Sequence, residues 1–434
     1  MKHFVTNTVF RQVGLASIIK AAMSILTILM FYFLSKIMSA SQYGYFGFGF
    51  SLIQVLAIVA TGGLHLIVFR WFPETRSSHG AEDAQAVLRQ GLLIVIVFSI
   101  LTATVTSVAL MEIYEGRRIN HAIGLSATVF LFSITEYLSS ALRAQGRIGV
   151  ALAPRDIFWR GGLMVIFMAM SFFGLNMQVA PIFWIMSSTL LAVAAYQVFV
   201  LMQEKASSTA PKRNFAALVS QVWPIWLSGL ITSTARNRDV IILGVFIEPA
   251  ALAGYFLATR VANALSLATA AANSVSANVI SEAYYESQHG RLQSSISNIT
   301  SITFALTSLG SLVLILFSGL ILSSFGSEYA DSRIILIILV LTTLGATCLG
   351  PVHYILDLTG HQNINLKIIS VSAIVTTLAQ VVLIILFGAL GAALGTAGVV
   401  LVPRVWAYTI VRQRHGFDPS IVPILLKVTA ARMK

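Results

Sequence analysis

Long apolar runs follow one another along almost the entire chain and limit what it can fold into. Twelve of them can be counted, at residues 13–38, 44–69, 90–111, 119–142, 155–174, 179–202, 215–246, 251–281, 297–325, 333–357, 366–388 and 390–412. Each run is long enough to cross the ~30 Å hydrocarbon core of a bilayer as a helix. Only helices and closed barrels satisfy their backbone hydrogen bonds in lipid, so the runs predict an all-α integral membrane protein with 12 transmembrane helices.

The composition favours the same class. Charged residues make up 10% of the chain and hydrophobic residues 57%, whereas a soluble globular domain is about 25% charged. The single Cys348 excludes an intrachain disulfide and a thiolate metal cluster, and we expect no metal and no cofactor. The first run is long enough to span a bilayer and carries no Ala-x-Ala cleavage site, so we expect it to be retained.

The positions of lysine and arginine predict how the chain is oriented. One alternating set of loops holds 18 of the 28 basic residues, Arg155 among them, and the other set holds 4. The other 6 lie within the runs, where Lys20 and Arg160 are close enough to the cytoplasmic face to snorkel. The positive-inside rule therefore places both termini in the cytoplasm. The net charge of +12 is explained by this orientation signal, and no nucleic-acid partner is expected.

The two halves of the chain resemble each other. Tyr43–Phe46 matches Ala253–Phe256 at an offset of 210, while Leu142–Arg147 matches Leu356–His361 at an offset of 214. A third pair, Phe173-Gly174 and Phe387-Gly388, has the same offset of 214. These matches predict a duplicated six-helix unit with a parallel repeat, because six is even and both copies begin on the same side. Chance matches of small and aromatic residues are the alternative.

The repeat predicts a division of the chain into parts. We expect an N-terminal lobe at 1–203, a cytoplasmic linker at 204–214, a C-terminal lobe at 215–416 and a basic cytoplasmic tail at 417–434. The linker is the only polar, Ser/Pro-bearing joint of this kind in the chain. The tail mixes basic and apolar residues and could lie on the cytoplasmic leaflet.

Charged residues lie deep within the seventh and eighth runs. Arg236, Arg238 and Asp239 are in the seventh, and Arg260 is in the eighth. An ionised side chain at the bilayer centre costs at least about 2.5 kcal/mol. These residues therefore predict a water-filled or protein-lined cavity between the lobes.

Helical geometry selects the residues expected to face this cavity. At 100° per residue, polar residues of the eighth run fill one arc of about 140°; they are Arg260, Asn263, Ser266, Asn273, Ser274 and Asn278. On the seventh run, Asp239 lies on the side of Arg236, whereas Arg238 points nearly opposite. We predict that Arg236, Asp239, Arg260 and Asn263 line the cavity, with Arg238 and Arg404 as further candidates. Alternatively, Arg236 and Asp239 neutralise each other within a packed bundle.

Other polar residues in the runs have two interpretations each. Glu136 is either a titratable group for proton coupling, as is Asp239, or the structural partner of Arg143 on the same helix face. Asp156 and Arg160 are spaced as a structural i,i+4 pair. His65 and His353 are better explained as packed, hydrogen-bonded histidines than as metal ligands or proton relays.

Motifs of catalysis are missing from the sequence. There is no HExxH, P-loop, CxxC or GxSxG motif, so we do not expect an enzyme. Without a nucleotide-binding loop, the energy for transport would have to come from an ion gradient or from the substrate gradient.

Five motifs resemble those of a known family. They are Tyr43-Gly44 through Gly63-Leu64 ending in Val68–Glu74, Gly254-Tyr255-Phe256 with Arg260, Phe325–Ala330, Leu358–His361 and Phe387–Ala393. Their order resembles that of Wzx-type polysaccharide flippases, the polysaccharide transporter family of the multidrug/oligosaccharidyl-lipid/polysaccharide (MOP) exporter superfamily. The resemblance implies two six-helix lobes around a central cavity, a fold similar to that of MATE transporters. It places Arg260 at the position of the family's eighth-helix arginine. The Arg236–Asp239 cluster departs from the family by its denser charge.

The resemblance also implies a function. Wzx-type proteins translocate an undecaprenyl-pyrophosphate-linked oligosaccharide from the cytoplasmic to the periplasmic leaflet of the bacterial inner membrane. The expected partners are this lipid-linked oligosaccharide and membrane lipids. A polysaccharide polymerase with its chain-length machinery is a further candidate partner. Arginine suits the pyrophosphate because its forked guanidinium stays charged.

Several other functions compete with this one. A MATE-like drug or cation antiporter would need acidic groups in its cavity, whereas the seventh and eighth runs offer three Arg and one Asp. A lipid II flippase would usually have additional helices. A membrane polysaccharide polymerase or ligase would usually have a large outer loop, and the longest here is about 112–120. A scaffold without transport activity would leave the arginines in the spans unexplained.

Overall fold

The structure, a computed structural model, describes residues 2–113, 118–207, 215–266, 289–416 and 418–422. All regular structure in these ranges is helical. The helices are α1 (Lys2–Ile37), α2 (Ala40–Thr61), α3 (Leu64–His79), α4 (Ala81–Ile113), α5 (Ile119–Ala144), α6 (Ile148–Ala153), α7 (Arg160–Phe172), α8 (Val179–Met202), α9 (Phe215–Phe246), α10 (Pro249–Ala262), α11 (His289–Leu316), α12 (Ser318–Phe325), α13 (Arg333–Cys348), α14 (Val352–Leu358) and α15 (Gln362–His415).

The predicted all-α membrane class is confirmed. In the described ranges, 8 helical stretches are long and apolar enough to cross a membrane. One of them, Gln362–Arg414, contains a chain reversal and holds two of the predicted runs. The count of twelve crossings stays a prediction.

The chain forms two compact units, Met1–Ile241 and Ile242–Lys434. In the first, α5 is the central helix, and 72% of its apolar window is buried. Its Tyr137 hydroxyl donates to the Leu88 carbonyl of α4 at 2.7 Å, in the space left by the missing side chain of Gly91. The predicted linker is described only up to residue 207, so its role as the joint stays a prediction.

Aromatic rings fill the core of the first unit next to α5. Phe46 of α2 stacks on Phe183 of α8 with ring centroids 5.8 Å apart, and His121 of α5 stacks on the same ring at 5.4 Å. Fully buried rings such as these supply large apolar areas to a helix bundle.

The second predicted run, 44–69, is interrupted in the structure. Gly62 and Gly63 have φ values of 53° and 78°, which end α2 and let α3 start in a new direction. Hydropathy does not reveal this break because both glycines lie within an apolar stretch. Across it, Thr61 Oγ1 and His65 Nδ1 are hydrogen bonded at 2.7 Å, which agrees with the packed histidine expected at 65.

The fifth predicted run begins earlier than expected. Its helical path starts at Ile148, passes through a π-helical segment at Pro154–Trp159 and continues as α7. Pro154 lacks the backbone N–H that an α-helix requires there, and wider π turns accommodate such a gap. Arg155, which the sequence placed in a loop, consequently lies inside the helical bundle.

The second unit contains a reversal that hydropathy did anticipate. Gly388, with φ 58° and ψ −131°, divides α15 into two legs at the predicted boundary between the last two runs. Gln380 Nε2 of the first leg donates to the Ala392 carbonyl of the second at 3.2 Å. At the other end of this unit, His353 Nδ1 lies 2.7 Å from Asn365 Oδ1, so it too is a hydrogen-bonded histidine.

Two matched glycine pairs support the duplicated architecture. Gly146 and Gly360, at the predicted offset of 214, have φ values of 82° and 83°. Each follows a helix in a Schellman motif, in which the next N–H (Arg147 or His361) reaches back to Leu142 or Leu356 at 3.0 and 2.8 Å. Gly174 and Gly388, the other predicted pair, have φ values of 65° and 58°.

The start of the predicted tail is bound to the second unit. The Pro419 carbonyl accepts from Thr300 Oγ1 of α11 at 3.0 Å, and the Ile421 N–H donates to the Cys348 carbonyl of α13 at 3.0 Å. Ile421 is buried. Residues 423–434 lie outside the described part, so the predicted contact of the tail with the leaflet is untested.

Candidate functional site

The seventh run forms α9, which is attached to α2. Trp226 Nε1 donates to the Ile58 carbonyl and Ser233 Oγ to the Gln54 carbonyl, each at 3.1 Å. Asn237, one turn further along the same face, is buried and donates to the Ser233 carbonyl at 3.2 Å. These bonds fix the rotation of α9 and therefore the direction of the charged side chains that follow.

The charged cluster of α9 is divided between two environments. The side chain of Arg236 is exposed, whereas Arg238 is 8% exposed and lies in the interior. Asp239 is half-buried, and its Oδ1 accepts a hydrogen bond from the Val240 N–H at 2.9 Å. This separation agrees with the helical geometry that set Arg238 apart from Arg236.

The eighth run forms α10, whose α-helical part is shorter than predicted. It ends at Ala262 and is followed by a 3₁₀ turn at Asn263–Leu265. Arg260 is half-buried, with its guanidinium carbon 4.7 Å from the centroid of the Phe256 ring, one turn earlier. The ring stabilises the cation by a cation–π interaction and restricts its position. Asn263 is exposed.

Several predicted cavity residues stay untested. Arg236 belongs to the first compact unit and Arg260 to the second, so their meeting in one cavity stays a prediction. Asn273, Ser274 and Asn278 lie outside the described residues. Arg404, on the second leg of α15, is half-buried and donates through Nη1 to the Val400 carbonyl at 3.0 Å.

A buried charge network lies inside the first unit. At its centre is Asp156, whose side chain is 0% exposed. Its Oδ2 accepts from Lys20 Nζ of α1 at 2.7 Å, while its Oδ1 is 3.2 Å from Arg160 Nη1 and 3.3 Å from Arg155 Nε. The predicted Asp156–Arg160 pair is therefore present, and Lys20 takes part in an ion pair where simple snorkelling was expected.

Glu136 joins the same network through a different partner from the one predicted. Its Oε2 accepts a short, charge-assisted hydrogen bond from Arg155 Nη1. Arg143, the expected partner, instead donates to the Ser139 carbonyl and to Ser140 Oγ, at 3.3 and 2.9 Å. The π segment brings Arg155 towards α5, and Arg155 therefore takes the place beside Glu136 that was expected for Arg143.

The sequence predicted the Asp156–Arg160 pair but not the network around it, because the members of the network lie on four separate elements. Periodicity reports which residues share a helix face and carries no information on contacts between helices. The apolar stretch Ile148–Ala153 directly before Pro154 was the one available signal, since it extends the helical path upstream of Arg155.

Comparison with known protein families gives one match over most of the chain. A family model described as "Polysaccharide biosynthesis protein" matches residues 9–284. This range includes most of α1, all of α2 to α10, the buried charge network and the arginines of α9 and α10.

One curated relative and two solved structures illustrate the similarity. The chain is 25% identical over 380 residues to a probable low-salt glycan biosynthesis flippase, Agl15, of Haloferax volcanii, covering 84% of this chain and 75% of the relative. In fold it is similar to an inward-facing multidrug resistance MATE family transporter of the MOP superfamily, with TM-score 0.69, 14% identity and coverage of 92% of this chain and 98% of the other. It is likewise similar to the lipid II flippase MurJ in an inward closed conformation, with TM-score 0.68, 15% identity and coverage of 92% and 87%.

Proposed function

The chain belongs to the polysaccharide biosynthesis protein family, and on that premise we propose that it is a flippase for a lipid-linked oligosaccharide. The observation that carries the proposal is the similarity to a glycan biosynthesis flippase over 84% of the chain. The fold shared with the lipid II flippase MurJ supports it, because that protein's name gives a lipid-linked substrate. The substrate would be an oligosaccharide repeat unit on undecaprenyl pyrophosphate.

The chemistry of the arginines fits an anionic headgroup. Arg236 is exposed in the second half of α9, and Arg260 is held against Phe256 on α10. A pyrophosphate that leaves water needs charged donors, and a guanidinium offers two parallel N–H groups to a pair of phosphate oxygens. Asn263 and Asp239 would hydrogen-bond to sugar hydroxyls, with Arg238 and Arg404 as further cavity residues.

Translocation would follow alternating access between two lobes. The headgroup would occupy the cavity while the prenyl chain stays in lipid, and the lobes would rock to expose the cavity first to the cytoplasm and then to the periplasm. The protein would lie in a bacterial inner membrane with cytoplasmic termini, and would pass its product to a polymerase and chain-length machinery. Asp239 and Glu136 are the carboxylates through which protons could be coupled to transport.

A drug or cation antiporter is the second candidate, because the MATE fold is equally similar. The exposed Arg236 and the half-buried Arg260 oppose a cationic ligand, which would meet repulsion at both positions. A labelled cationic dye taken up by vesicles in exchange for protons, with no movement of lipid-linked sugar, would favour this second function.

A vesicle assay tests the proposed function. Purified protein in sealed vesicles is given an undecaprenyl-pyrophosphate-linked oligosaccharide with a labelled sugar, and its movement is followed by accessibility to an impermeant glycosidase. We expect Arg236→Ala and Arg260→Ala each to slow translocation by at least about tenfold, the equivalent of one charge-assisted contact. Arg70→Ala is the matched control, since Arg70 is an exposed arginine that is 3.9 Å from Glu74 on the same helix. Full activity of the Arg236/Arg260 double variant would reject the proposed binding role.

A further inference from the structure

An apolar groove runs along the first unit between α8 and the helical path of α6, the π segment and α7. Its volume is about 650 Å³, which is within the range of pockets that hold small molecules. Gly149, Ala153 and Gly162 form one wall and Ala192 and Tyr196 the opposite one. The Trp159 ring closes the back, where its Nε1 donates to Thr189 Oγ1 of α8 at 3.0 Å.

The groove lies on an apolar surface of the first unit that suits contact with membrane hydrocarbon. Phe158, one of its lining residues, is 70% exposed, and α8, which forms the opposite wall, is among the helices long and apolar enough to cross a membrane. An exposed apolar side chain on a membrane-spanning surface meets lipid chains. The Trp159 and Thr189 polar atoms are already bonded to each other. The groove therefore suits a hydrocarbon chain and offers little to a polar ligand.

One end of the groove lies close to a cation. Gly149 is the second residue of α6, and Arg147 precedes that helix at its N-cap position. From Gly149 to Gly162 the groove follows roughly 20 Å of helical path at ~1.5 Å per residue, from the helix end into the hydrocarbon. Arg147 forms an ion pair with Glu204 at 3.5 Å and its side chain is 34% exposed, so it can also reach a lipid phosphate.

We propose that this groove holds part of the prenyl chain of the lipid-linked substrate. The inference rests on the proposed function and extends it, since it assigns a part of the prenyl chain to a lipid-facing binding surface on the first unit while the rest of the chain stays in lipid. The groove is apolar along both walls and one end lies near Arg147, an arrangement that suits an isoprenoid chain whose anionic headgroup lies at the helix end. Next to Gly162 no heavy atom lies within 4 Å of where a Cβ would be, and this space accommodates the methyl branches of an isoprenoid.

Photolabelling tests the groove directly. The full-length protein is placed in phosphatidylcholine nanodiscs with undecaprenyl pyrophosphate that carries a diazirine near the middle of its chain, and labelled peptides are identified by mass spectrometry. We expect the label on peptides containing residues 149–162 and 189–196. Unlabelled undecaprenyl phosphate should compete at least about tenfold better than phosphatidylglycerol.

Two filling variants and one control complete the experiment. Gly162→Phe and Ala192→Phe fill the groove from opposite walls, so each should remove the label and slow translocation. Gly319→Phe is the control, because Gly319 lies on α12 of the second unit, where no heavy atom is within 4 Å of the position that a Cβ would take. It should keep the label and the transport rate. Label retained in both filling variants, label on other helices, or equal competition by phosphatidylglycerol would each overturn the inference.

The result separates this inference from the proposed function. Translocation in vesicles together with label outside the groove rejects the groove alone. Label in the groove of a protein that moves no lipid-linked sugar rejects the flippase function and leaves a prenyl-lipid site.

Discussion

Asp156 shows how a single carboxylate can organise charges inside a membrane protein. Its side chain has no exposed surface and contacts cations from α1, the π segment and α7. A buried ion pair contributes little net stability when it forms, but removing one partner leaves the others uncompensated. Removing Asp156 should therefore lower the stability of the first unit more than removing any one of the cations around it.

Replacing Asp156 should destabilise the first unit strongly. In Asp156→Asn the guanidinium groups of Arg155 and Arg160 lose their shared counter-charge, and the expected loss is about 3 kcal/mol. A lower midpoint of thermal unfolding of the purified protein in detergent would show it. Lys20→Ala is the control: because Lys20 is 47% exposed, its loss should cost less than about 1 kcal/mol. Equal midpoints for the two variants would contradict a central role of Asp156.

The helix ends at Gly146 and Gly360 show the repeat at the level of single elements. Both glycines adopt φ near 80°, and both close a Schellman motif at the end of a helix. A side chain with a Cβ is strained in this left-handed region. The chain therefore ends a helix with the same glycine-containing turn at two positions that are 214 residues apart.

Alanine at either glycine should have a similar cost. Gly146→Ala and Gly360→Ala are each expected to lower stability by about 1 kcal/mol, because no heavy atom lies near either Cβ position and only the backbone is strained. Thermal unfolding of the two single variants measures this. Gly319→Ala, at a helical glycine with equal free space, should be neutral or stabilising. A loss at only one of the two positions would argue against equivalent turns.

The bound start of the tail should respond to acid. Burial favours the neutral form of Asp418, but hydrogen bonds from Ser420 and Tyr408 and the charge of Arg412 hold its pKa below the ordinary value. A lowered pKa in the folded state gives stability that is present above the ordinary pKa of about 3.9 and disappears as the pH falls further. Hydrogen exchange of residues 418–422 should differ between the protein and Asp418→Asn at pH 6 and converge below about pH 4. Equal exchange at pH 6 would reject this role.

The molecule as a whole consists of two helical units, and the distribution of its basic residues predicts how the chain is oriented in the membrane. The 18 to 4 division of lysine and arginine between alternating loops predicts that residue 207 is cytoplasmic and residue 115 is on the opposite side. Cysteine labelling can test both positions, because Cys348 is the only native cysteine.

In a Cys348→Ser background, Glu115→Cys should react with an impermeant maleimide in intact cells. Ser207→Cys should react only after the membrane is permeabilised, since the cytoplasmic loop is shielded. Reaction of Ser207→Cys alone in intact cells would invert the orientation, and reaction of both would contradict the number of crossings between them.

Sequence reasoning predicted this fold better than the details of its polar sites. Hydropathy reports on lipid contact over about 20 residues, so it found the membrane class and the boundary at Gly388. It could not find the π segment at Pro154–Trp159 or the break at Gly62, which change direction without changing polarity. The partners of Glu136 and Lys20 depend on contacts between helices, and single-helix geometry holds no information on them.

The buried network of the first unit has an electrical consequence. Three cations, Lys20, Arg155 and Arg160, surround two carboxylates, Asp156 and Glu136, so the five residues of the network carry a formal charge of +1. One elementary charge carried across the full field gains or loses about 2.3 kcal/mol per 100 mV. Outward displacement of this network along the membrane normal would therefore be work against the voltage, whereas a cell interior at negative potential would favour its inward displacement.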